Sequence, residues 1–261
     1  YASIHNCELG DDVFNEDSTV NKLQEQSAKL MGTESALLVP SGTMANLVSI
    51  LTHCERGSEI ILGDKSHTFI YEAGGISSYG GIHSRQLSNQ DDGLISIQDI
   101  KSAIRSDDVH FPKTKLISLE NTHNICHGTP LPIDYINEVK SIALENNLKL
   151  HIDGARIFNA SVALNINVKE FGKLADSITF CLSKGLSAPI GSMICGSEKF
   201  IHKARYIRKS LGGGMRQAGI IAASGLIAIN QMIPRLKNDH DNAKLLADSL
   251  SKFDSIAIDT N

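Results

Sequence analysis

The stretch Phe180-Cys181-Leu182-Ser183-Lys184-Gly185-Leu186 is an apolar run that meets a lysine and then a glycine. The run predicts a buried strand that ends at Lys184. An amine in that setting is poorly placed for solvation, so Lys184 is a candidate for a desolvated nucleophile that forms a Schiff base. Another apolar strand ends at Asp153, within His151-Ile152-Asp153-Gly154-Ala155-Arg156, and its carboxylate could serve the ring nitrogen of a cofactor that this lysine holds.

The composition favours small-molecule chemistry. The chain has 261 residues, of which 41% are hydrophobic and 21% are charged, and its formal net charge is -4. These are ordinary values for a globular protein with a large core. Because the net charge is small and the Lys and Arg residues are scattered, we expect no nucleic-acid partner and no membrane partner. No uninterrupted apolar stretch approaches the roughly 20 residues of a membrane span.

Cysteine usage predicts a reducing compartment. The five cysteines are odd in number and irregularly spaced, and none forms a CxxC pair. The first residues carry no basic and then apolar signal pattern, so we expect a cytoplasmic protein. The chain opens on Tyr1 instead of methionine, which predicts that it is part of a longer protein.

Apolar runs alternate with helical patterns along most of the chain. Strands are predicted at residues 36–39, 59–63, 115–120, 148–153, 180–184 and 191–196, and the last of them is expected to be antiparallel. Helices are predicted at residues 20–30, 44–51, 97–104, 133–146 and 158–164 and over most of residues 198–253. Strands that are apolar throughout and alternate with helices indicate an α/β fold with a mostly parallel sheet covered on both faces.

Two polar turns follow predicted strands. Ser41-Gly42-Thr43 separates a strand from a helix, and the free N–H groups of such a helix N-terminus bind anions. An ordinary helix cap is the alternative, since the turn lacks both the P-loop and the dinucleotide-binding glycine patterns. His67 follows residues 59–63, at the strand end where open α/β sheets bind ligands, although a solvated loop histidine would fit equally well.

Two histidine patterns were considered as metal sites. His123, Cys126 and His127 have superficially ligand-like spacing, but the Gly128-Thr129-Pro130 turn disfavours the helical face that such ligands need. His151 and Asp153 form the His-x-Asp of a possible non-haem iron site. The third iron ligand would lie in a helical pattern of a chain that is not all-β, as His202 or His240. We therefore predict no metal site.

Four features should meet at one edge of the parallel sheet. They are an anion cradle at residues 41–43, the imidazole of His67, the carboxylate of Asp153 and the amine of Lys184. These are the protein groups that pyridoxal 5'-phosphate (PLP) requires for its phosphate, its ring face, its ring nitrogen and its aldehyde.

Six motifs together resemble the threonine aldolases, which are fold-type I PLP enzymes. The resemblance spans essentially the whole chain, in order and spacing. The motifs are Gly10-Asp11-Asp12-Val13-Phe14 through Asp17, Ser41-Gly42-Thr43-Met44-Ala45-Asn46, Glu120-Asn121-Thr122-His123-Asn124, His151-Ile152-Asp153-Gly154-Ala155-Arg156, Leu182-Ser183-Lys184-Gly185 and Gly212-Gly213-Gly214-Met215-Arg216-Gln217.

The resemblance implies cleavage of L-threonine or L-allo-threonine to glycine and acetaldehyde. It implies a seven-stranded, aspartate aminotransferase-like large domain in which Lys184 holds the cofactor and Asp153 keeps the ring nitrogen protonated. His67 would stack on the ring, and Arg156 would meet the substrate carboxylate or the ring oxygen. The base for the β-hydroxyl would be His67, His110 or a water that one of them holds.

The resemblance also implies an oligomer. Lys209 and Arg216 flank the triple glycine and are similar to family residues near the cofactor phosphate at a subunit boundary. We therefore expect a homo-oligomer, a dimer of dimers, with its active sites at the subunit interface. The glycines at residues 212–214 would allow a ligand or another chain to approach the backbone closely. A flexible hinge is the simpler explanation for them.

The resemblance implies two domains. Residues 1–230 would form the PLP-binding large domain, and residues 231–261 the helical start of a small C-terminal domain that is largely missing. The family's N-terminal Arg-Ser-Asp-Thr stretch and its C-terminal carboxylate-binding arginine are not matched. Two alternatives stay open, a related PLP-dependent β-eliminating lyase and a truncated, non-catalytic subunit of the same fold.

Overall fold

A seven-stranded sheet forms the centre of the computed structural model, which describes residues 1–258. The strand order is β1-β7-β6-β5-β4-β2-β3, and only β7 runs antiparallel to its neighbours. The mostly parallel α/β prediction is therefore confirmed. The strands are β1 (Ser35–Val39), β2 (Glu59–Gly63), β3 (His83–Leu87), β4 (Thr114–Glu120), β5 (Lys149–Asp153), β6 (Ser177–Cys181) and β7 (Ser192–Gly196).

Helices cover both faces of the sheet. In chain order they are α1 (Ala2–His5), α2 (Ser18–Met31), α3 (Gly42–His53), α4 (His67–Ile70), α5 (Gly75–Ser78), α6 (Ile97–Ala103), α7 (Ile133–Glu145), α8 (Ile157–Leu164), α9 (Val168–Leu174), α10 (Glu198–Ser210), α11 (Gly219–Ile227) and α12 (Leu236–Leu250). Short 3-10 turns lie at Asp12–Phe14 and Ile233–Arg235, and a π-helical turn lies at Ala228–Met232.

Alternate residues of the strands enter cores on opposite faces. Leu38 of β1 belongs to the large core beneath α2, α7 and α9, whereas Leu37 and Val39 pack with α3 and α10. Successive strand side chains point to opposite faces, so a strand buried on both sides must be apolar throughout. This explains why the central strands were readable from the sequence.

Two strand predictions needed correction. β3 was missed because its sequence, His83-Ser84-Arg85-Gln86-Leu87, is polar, and its place at the edge of the sheet leaves it half-exposed. β6 was predicted to run up to Lys184 but ends at Cys181, so the lysine lies in the following turn. The register of β6 with β7 ends at the Cys181–Ser192 pair, and one further hydrogen bond, from Leu182 N to Gly191 O at 3.0 Å, precedes the lysine.

The C-terminal helices form a nearly continuous segment. Gly219–Leu250 spans 32 residues, and its most apolar 18-residue window, with mean hydropathy 1.3, is long and apolar enough to cross a membrane. Only 39% of that window is buried, but Ala222, Ala223 and Gly225 pack inside the fold, where α11 lies against α2. A packed helix of a globular domain meets the same criterion, so this is weak evidence for a membrane. The predicted boundary at residue 230 falls within the segment, and residues 259–261 lie outside the described part.

Candidate active site

The carboxyl ends of β1, β2, β4, β5 and β6 lie along one edge of the sheet, because these strands are mutually parallel. The predicted residues Ser41, Gly42 and Thr43 follow β1, His67 follows β2, Asp153 ends β5, and Lys184 follows β6. The fold therefore gathers the predicted cradle, imidazole, carboxylate and amine. We refer to this place as the strand-end site.

The turn after β1 leaves an anion-binding helix start. Ser41 caps α3, because its Oγ accepts from the N–H of Met44 at 3.1 Å. Within residues 1–258, the N–H groups of Gly42 and Thr43 have no acceptor from the protein. A Cβ at Gly42 would lie 2.9 Å from Cys181 Sγ, so glycine allows the turn to pack on the end of β6. Free N–H groups at the positive end of a helix dipole fit a phosphate.

Asp153 is a buried carboxylate without a cationic partner. Its Oδ1 accepts from Ala155 N at 3.1 Å, and its Oδ2 accepts from Asn46 Nδ2 at 2.7 Å. The residue is 5% exposed, and no lysine, arginine or histidine nitrogen of residues 1–258 lies within 4.0 Å of its oxygens. An uncompensated buried carboxylate is unfavourable. It therefore fits a group that brings a protonated ring nitrogen, as PLP does.

His67 is held by two carboxylates. Its Nδ1 donates to Glu72 Oε1 at 2.9 Å, and its backbone N–H donates to Glu120 Oε2 at 2.7 Å. The hydrogen bond to Glu72 raises the pKa of His67 and outweighs the opposing effect of partial burial. Burial in turn raises the pKa of Glu72. The Nε2 atom of His67 is left free for another partner, since no hydrogen bond to it occurs in the described chain.

Glu120 connects the His67 turn to Arg156. Its second oxygen, Oε1, accepts from Asn124 N at 2.9 Å, and Asn124 Oδ1 accepts from Arg156 NH1 at 2.8 Å. Burial raises the pKa of Glu120 to about 7. Arg156 is half-buried and follows Asp153 by three residues, which places its guanidinium at the rim of the strand-end site.

Lys184 lies in the turn after β6, where its carbonyl accepts from Ser187 N at 2.9 Å. The side chain is half-buried, and its amine has no hydrogen-bond partner among residues 1–258. It is close enough to His67 and Cys181 for its charge to act on both. A half-buried amine without a partner of its own is suited to covalent attachment of an aldehyde.

Three further predicted residues, His110, Lys209 and Arg216, lie outside the turns that follow β1, β2, β5 and β6. His110 is exposed, pairs with Asp108 at 2.6 Å and precedes β4, so it lies at the opposite edge of the sheet. Lys209 is exposed beside Gly214, and Arg216 pairs with Asp11 at 2.5 Å.

One group of side chains in residues 1–258 has the spacing of metal ligands. The ligand atoms of His67, Glu72 and Asp153 lie within 4.8 Å of one another. Hydrogen bonding accounts for this proximity, because Asn46 Nδ2 donates to both carboxylates and His67 donates to Glu72. His151, proposed above as an iron ligand, is fully buried and its nitrogens bond to Ser177 and Asn46 instead.

Asn46, Glu72 and Glu120 belong to the site although no role for them was predicted from the sequence. Asn46 is the clearest missed signal, since it is a polar residue in the otherwise apolar helical run Ala45-Asn46-Leu47-Val48. A buried amide needs partners, and here its partners are carboxylates. Glu120 ends β4, but the His67 N–H from which it accepts lies 53 positions away. Glu72 lies beyond β2, and its partner Asn46 is 26 positions away.

Comparison with known proteins assigns the family. The family model described as beta-eliminating lyase matches residues 2–261. The low-specificity L-threonine aldolase 1 of Arabidopsis thaliana is 49% identical over 264 residues, which cover 98% of this chain and 74% of the relative. The low specificity L-threonine aldolase of Escherichia coli K12 is 47% identical, with 97% and 76% covered. This chain belongs to the threonine aldolases of the beta-eliminating lyase family.

A solved threonine aldolase from Leishmania major supports the fold of this family member. It superposes with a TM-score of 0.83 at 19% sequence identity, covering 96% of this chain and 74% of that chain. The family is PLP-dependent, so the cofactor prediction and the assignment as a lyase are confirmed. The threonine aldolase chain described here spans about three quarters of the relatives named above.

Proposed function

We propose that this chain cleaves the Cα–Cβ bond of L-threonine and L-allo-threonine and releases glycine and acetaldehyde. The observation that carries the proposal is the buried Asp153 carboxylate, which lies without a cation at the same sheet edge as the Lys184 amine and the free N–H groups of α3. Relatives at 47–49% identity that bear the threonine aldolase name support the choice of reaction.

The cofactor site divides into three roles. Lys184 supplies the amine for the cofactor aldehyde, Asp153 forms an ion pair with the protonated ring nitrogen, and the N–H groups of Gly42 and Thr43 bind the phosphate, with Ser41 and Thr43 hydroxyls beside them. When bound, PLP supplies an electron sink for the pair released by carbon–carbon cleavage. A carboxylate beside the ring nitrogen favours the protonated form of that nitrogen, which is the role of Asp153.

His67 is the preferred proton acceptor for the β-hydroxyl. Glu72 occupies its Nδ1, so Nε2 is the atom that takes the proton, directly or through a water that it holds. The raised pKa of His67 makes its neutral imidazole a stronger base. His110, whose exposed imidazole pairs with Asp108, is the alternative.

Arg156 is proposed to bind the substrate carboxylate. Its NH1 is fixed by Asn124, and its remaining donors form a planar fork that matches a carboxylate. Because Glu120 holds both Asn124 and His67, the carboxylate-binding and hydroxyl-binding groups are positioned together.

We propose further that the protein is a cytoplasmic homo-oligomer, a dimer of dimers, in which Lys209 and Arg216 approach the phosphate of a neighbouring subunit. Five free cysteines support a reducing compartment, and both basic residues are exposed. Residues 1–230 would be the large domain, followed by the start of a small domain. Light scattering on the full-length protein tests the oligomeric state, and a stable monomer would contradict the proposed oligomer. The location of a tagged full-length protein tests the cytoplasmic assignment.

The paired-substrate assay tests the reaction. The full-length protein with PLP is incubated separately with L-threonine and L-allo-threonine, and acetaldehyde, glycine and ammonia are measured. Acetaldehyde and glycine in equal amounts are expected. Release of ammonia without acetaldehyde would instead identify a β-eliminating lyase, and no turnover of either substrate would indicate a non-catalytic subunit.

A further inference from the structure

A line of buried polar side chains runs through the sheet to Asp153. His53 Nε2 lies 2.8 Å from Ser177 Oγ, and Ser177 Oγ lies 2.7 Å from His151 Nδ1. His151 Nε2 lies 3.3 Å from Asn46 Oδ1, and Asn46 Nδ2 lies 2.7 Å from Asp153 Oδ2. His53 is half-buried and the other four are buried. None of the residues behind Asp153 has a role in the reaction as described above.

The carboxylates fix the orientation of Asn46. Its Nδ2 gives one hydrogen to Asp153 and the other to Glu72 Oε1 at 2.8 Å, so both hydrogens are used. Carboxylate oxygens accept, and the amide nitrogen must therefore face them. Asn46 Oδ1 consequently faces the opposite direction, where it accepts from His151 and from Thr179 Oγ1 at 3.3 Å.

The orientation of Asn46 then sets the proton positions along the line. Because Asn46 Oδ1 only accepts, His151 must carry its hydrogen on Nε2. Burial lowers the pKa of His151 to about 3, so the ring is neutral and its Nδ1 is an acceptor. The Ser177 hydroxyl therefore donates to His151 Nδ1, and Ser177 Oγ in turn accepts from Nε2–H of His53. Every donor in the line points toward Asp153.

A line of neutral hydrogen-bond donors has an advantage over a positively charged side chain next to Asp153. Aligned donors in a low-dielectric interior strengthen one another and favour an ionised acceptor. A lysine or arginine at position 46 would form the ion pair with Asp153 itself and would compete with the ring nitrogen of the cofactor. The neutral donors stabilise the carboxylate and leave it available.

We propose that Asn46, His151, Ser177 and His53 form a directed hydrogen-bond chain that positions the Asp153 carboxylate for the ring nitrogen of PLP. This inference rests on the proposed function for the use of Asp153, but the direction of the chain is a property of the protein alone. Asn46 contacts Asp153 directly, whereas the other three are positioning residues that act through it.

Nitrogen-15 NMR of histidine in the cofactor-free, full-length protein tests the direction of the chain. Between pH 6 and 8, His151 and His53 are expected to be neutral with the hydrogen on Nε2. Substitution Ser177→Ala should alter the ring signals of both. The matched control is Ser49→Ala, since Ser49 is a buried serine that bonds only to Ala45 O of its own helix at 2.7 Å. A hydrogen on His151 Nδ1, or a charged His151 ring, would overturn the proposal.

PLP binding tests the consequence. We expect Asn46→Ala and Ser177→Ala to raise the dissociation constant of PLP about tenfold, as is typical when the support of a binding group is removed. Both should lower kcat more than they change KM, while Ser49→Ala should match wild type. If Asn46→Ala does not fold, Ser177→Ala alone decides, because it removes one oxygen atom.

The outcomes separate this inference from the proposed reaction. If Ser177→Ala binds PLP as tightly as Ser49→Ala and has the same kcat, the chain has no role and the inference is wrong. If PLP affinity falls as expected but the wild-type protein releases no acetaldehyde, the proposed reaction fails while the positioning chain stands.

Discussion

Asn46 Nδ2 lies 2.7 Å from Asp153 Oδ2, and this hydrogen bond joins α3 to the end of β5. The first residue of the same helix, Gly42, offers its N–H toward the phosphate position. Four helical residues at 1.5 Å rise separate the two by about 6 Å along the axis. One helix thus fixes the spacing between the proposed phosphate end and the proposed ring-nitrogen end of the cofactor site.

The Asp153→Asn substitution should impair the reaction far more than the fold. The amide keeps the shape of the side chain but removes the charge that balances the ring nitrogen. Breaking a buried ion pair costs about 3 kcal/mol or more, which corresponds to a fall in kcat on the order of 100-fold. Steady-state kinetics on the variant and on Asp134→Asn, an acidic residue in the first turn of α7, provide the comparison. Equal kcat values for the two variants would refute the role of Asp153.

The Gly42→Ala substitution should weaken cofactor binding. Its Cβ would lie 2.9 Å from Cys181 Sγ, so the turn must move away from β6. We expect the dissociation constant of PLP to rise about tenfold, consistent with the loss of one hydrogen bond to a charged group. Gly75→Ala is the matched control, because its Cβ would make only ordinary contacts at 3.7 Å or more. The double variant Gly42→Ala/Cys181→Ala should recover affinity; no recovery would show that contact with Cys181 is not the cause.

The Glu120→Gln substitution should loosen two turns at once. Glutamine replaces one of the two carboxylate oxygens with an NH2 donor, so the N–H of His67 or of Asn124 loses its acceptor. Hydrogen exchange in the cofactor-free protein should become faster in residues 64–72 and 121–127. The KM for threonine should rise, about tenfold if one supporting bond is lost. Exposed Glu145 on α7 supplies the control Glu145→Gln. Unchanged exchange in either turn would contradict the bridging role.

Acid should destabilise the protein partly through His53. Burial lowers its pKa from 6.5 to about 4. Between these values the unfolded chain binds a proton that the folded chain does not, so the free energy of unfolding falls as pH drops through this window. The slope contributed by one such group is at most about 1.4 kcal/mol per pH unit. Urea unfolding at pH 7.5, 6.5 and 5.5 should give a shallower pH dependence for His53→Asn than for wild type or for the exposed control His83→Asn. Parallel pH curves would exclude this contribution.

Much of the strand-end site could be predicted because parallel strands that are buried on both faces are apolar throughout and can be recognised in the sequence. Each apolar run predicts a strand, and the polar residue after it lies at the edge of the sheet where the carboxyl ends of the strands meet. That logic placed Asp153, His67 and the Ser41–Thr43 turn correctly at that edge, and Lys184 within three residues of the true strand end.

The remaining features depend on contacts that local sequence does not encode. Asn46 and Asp153 are 107 positions apart, and the sequence around either residue does not indicate their contact. Glu120 likewise joins the His67 turn to the Asn124 turn through contacts that its neighbouring sequence does not indicate. His110 precedes β4, whereas His67 and Lys184 follow strands, and the motif alone does not state this distinction.

The most direct test of the central claim is chemical identification of the lysine that holds PLP. The full-length protein loaded with PLP is reduced with borohydride, digested and mapped by mass spectrometry, in parallel with Lys184→Ala and the control Lys199→Ala on α10. We expect phosphopyridoxyl label on Lys184 in the wild-type and control proteins and neither label nor visible absorbance in Lys184→Ala. Label on a different lysine, or release of acetaldehyde by Lys184→Ala at the wild-type rate, would contradict the account.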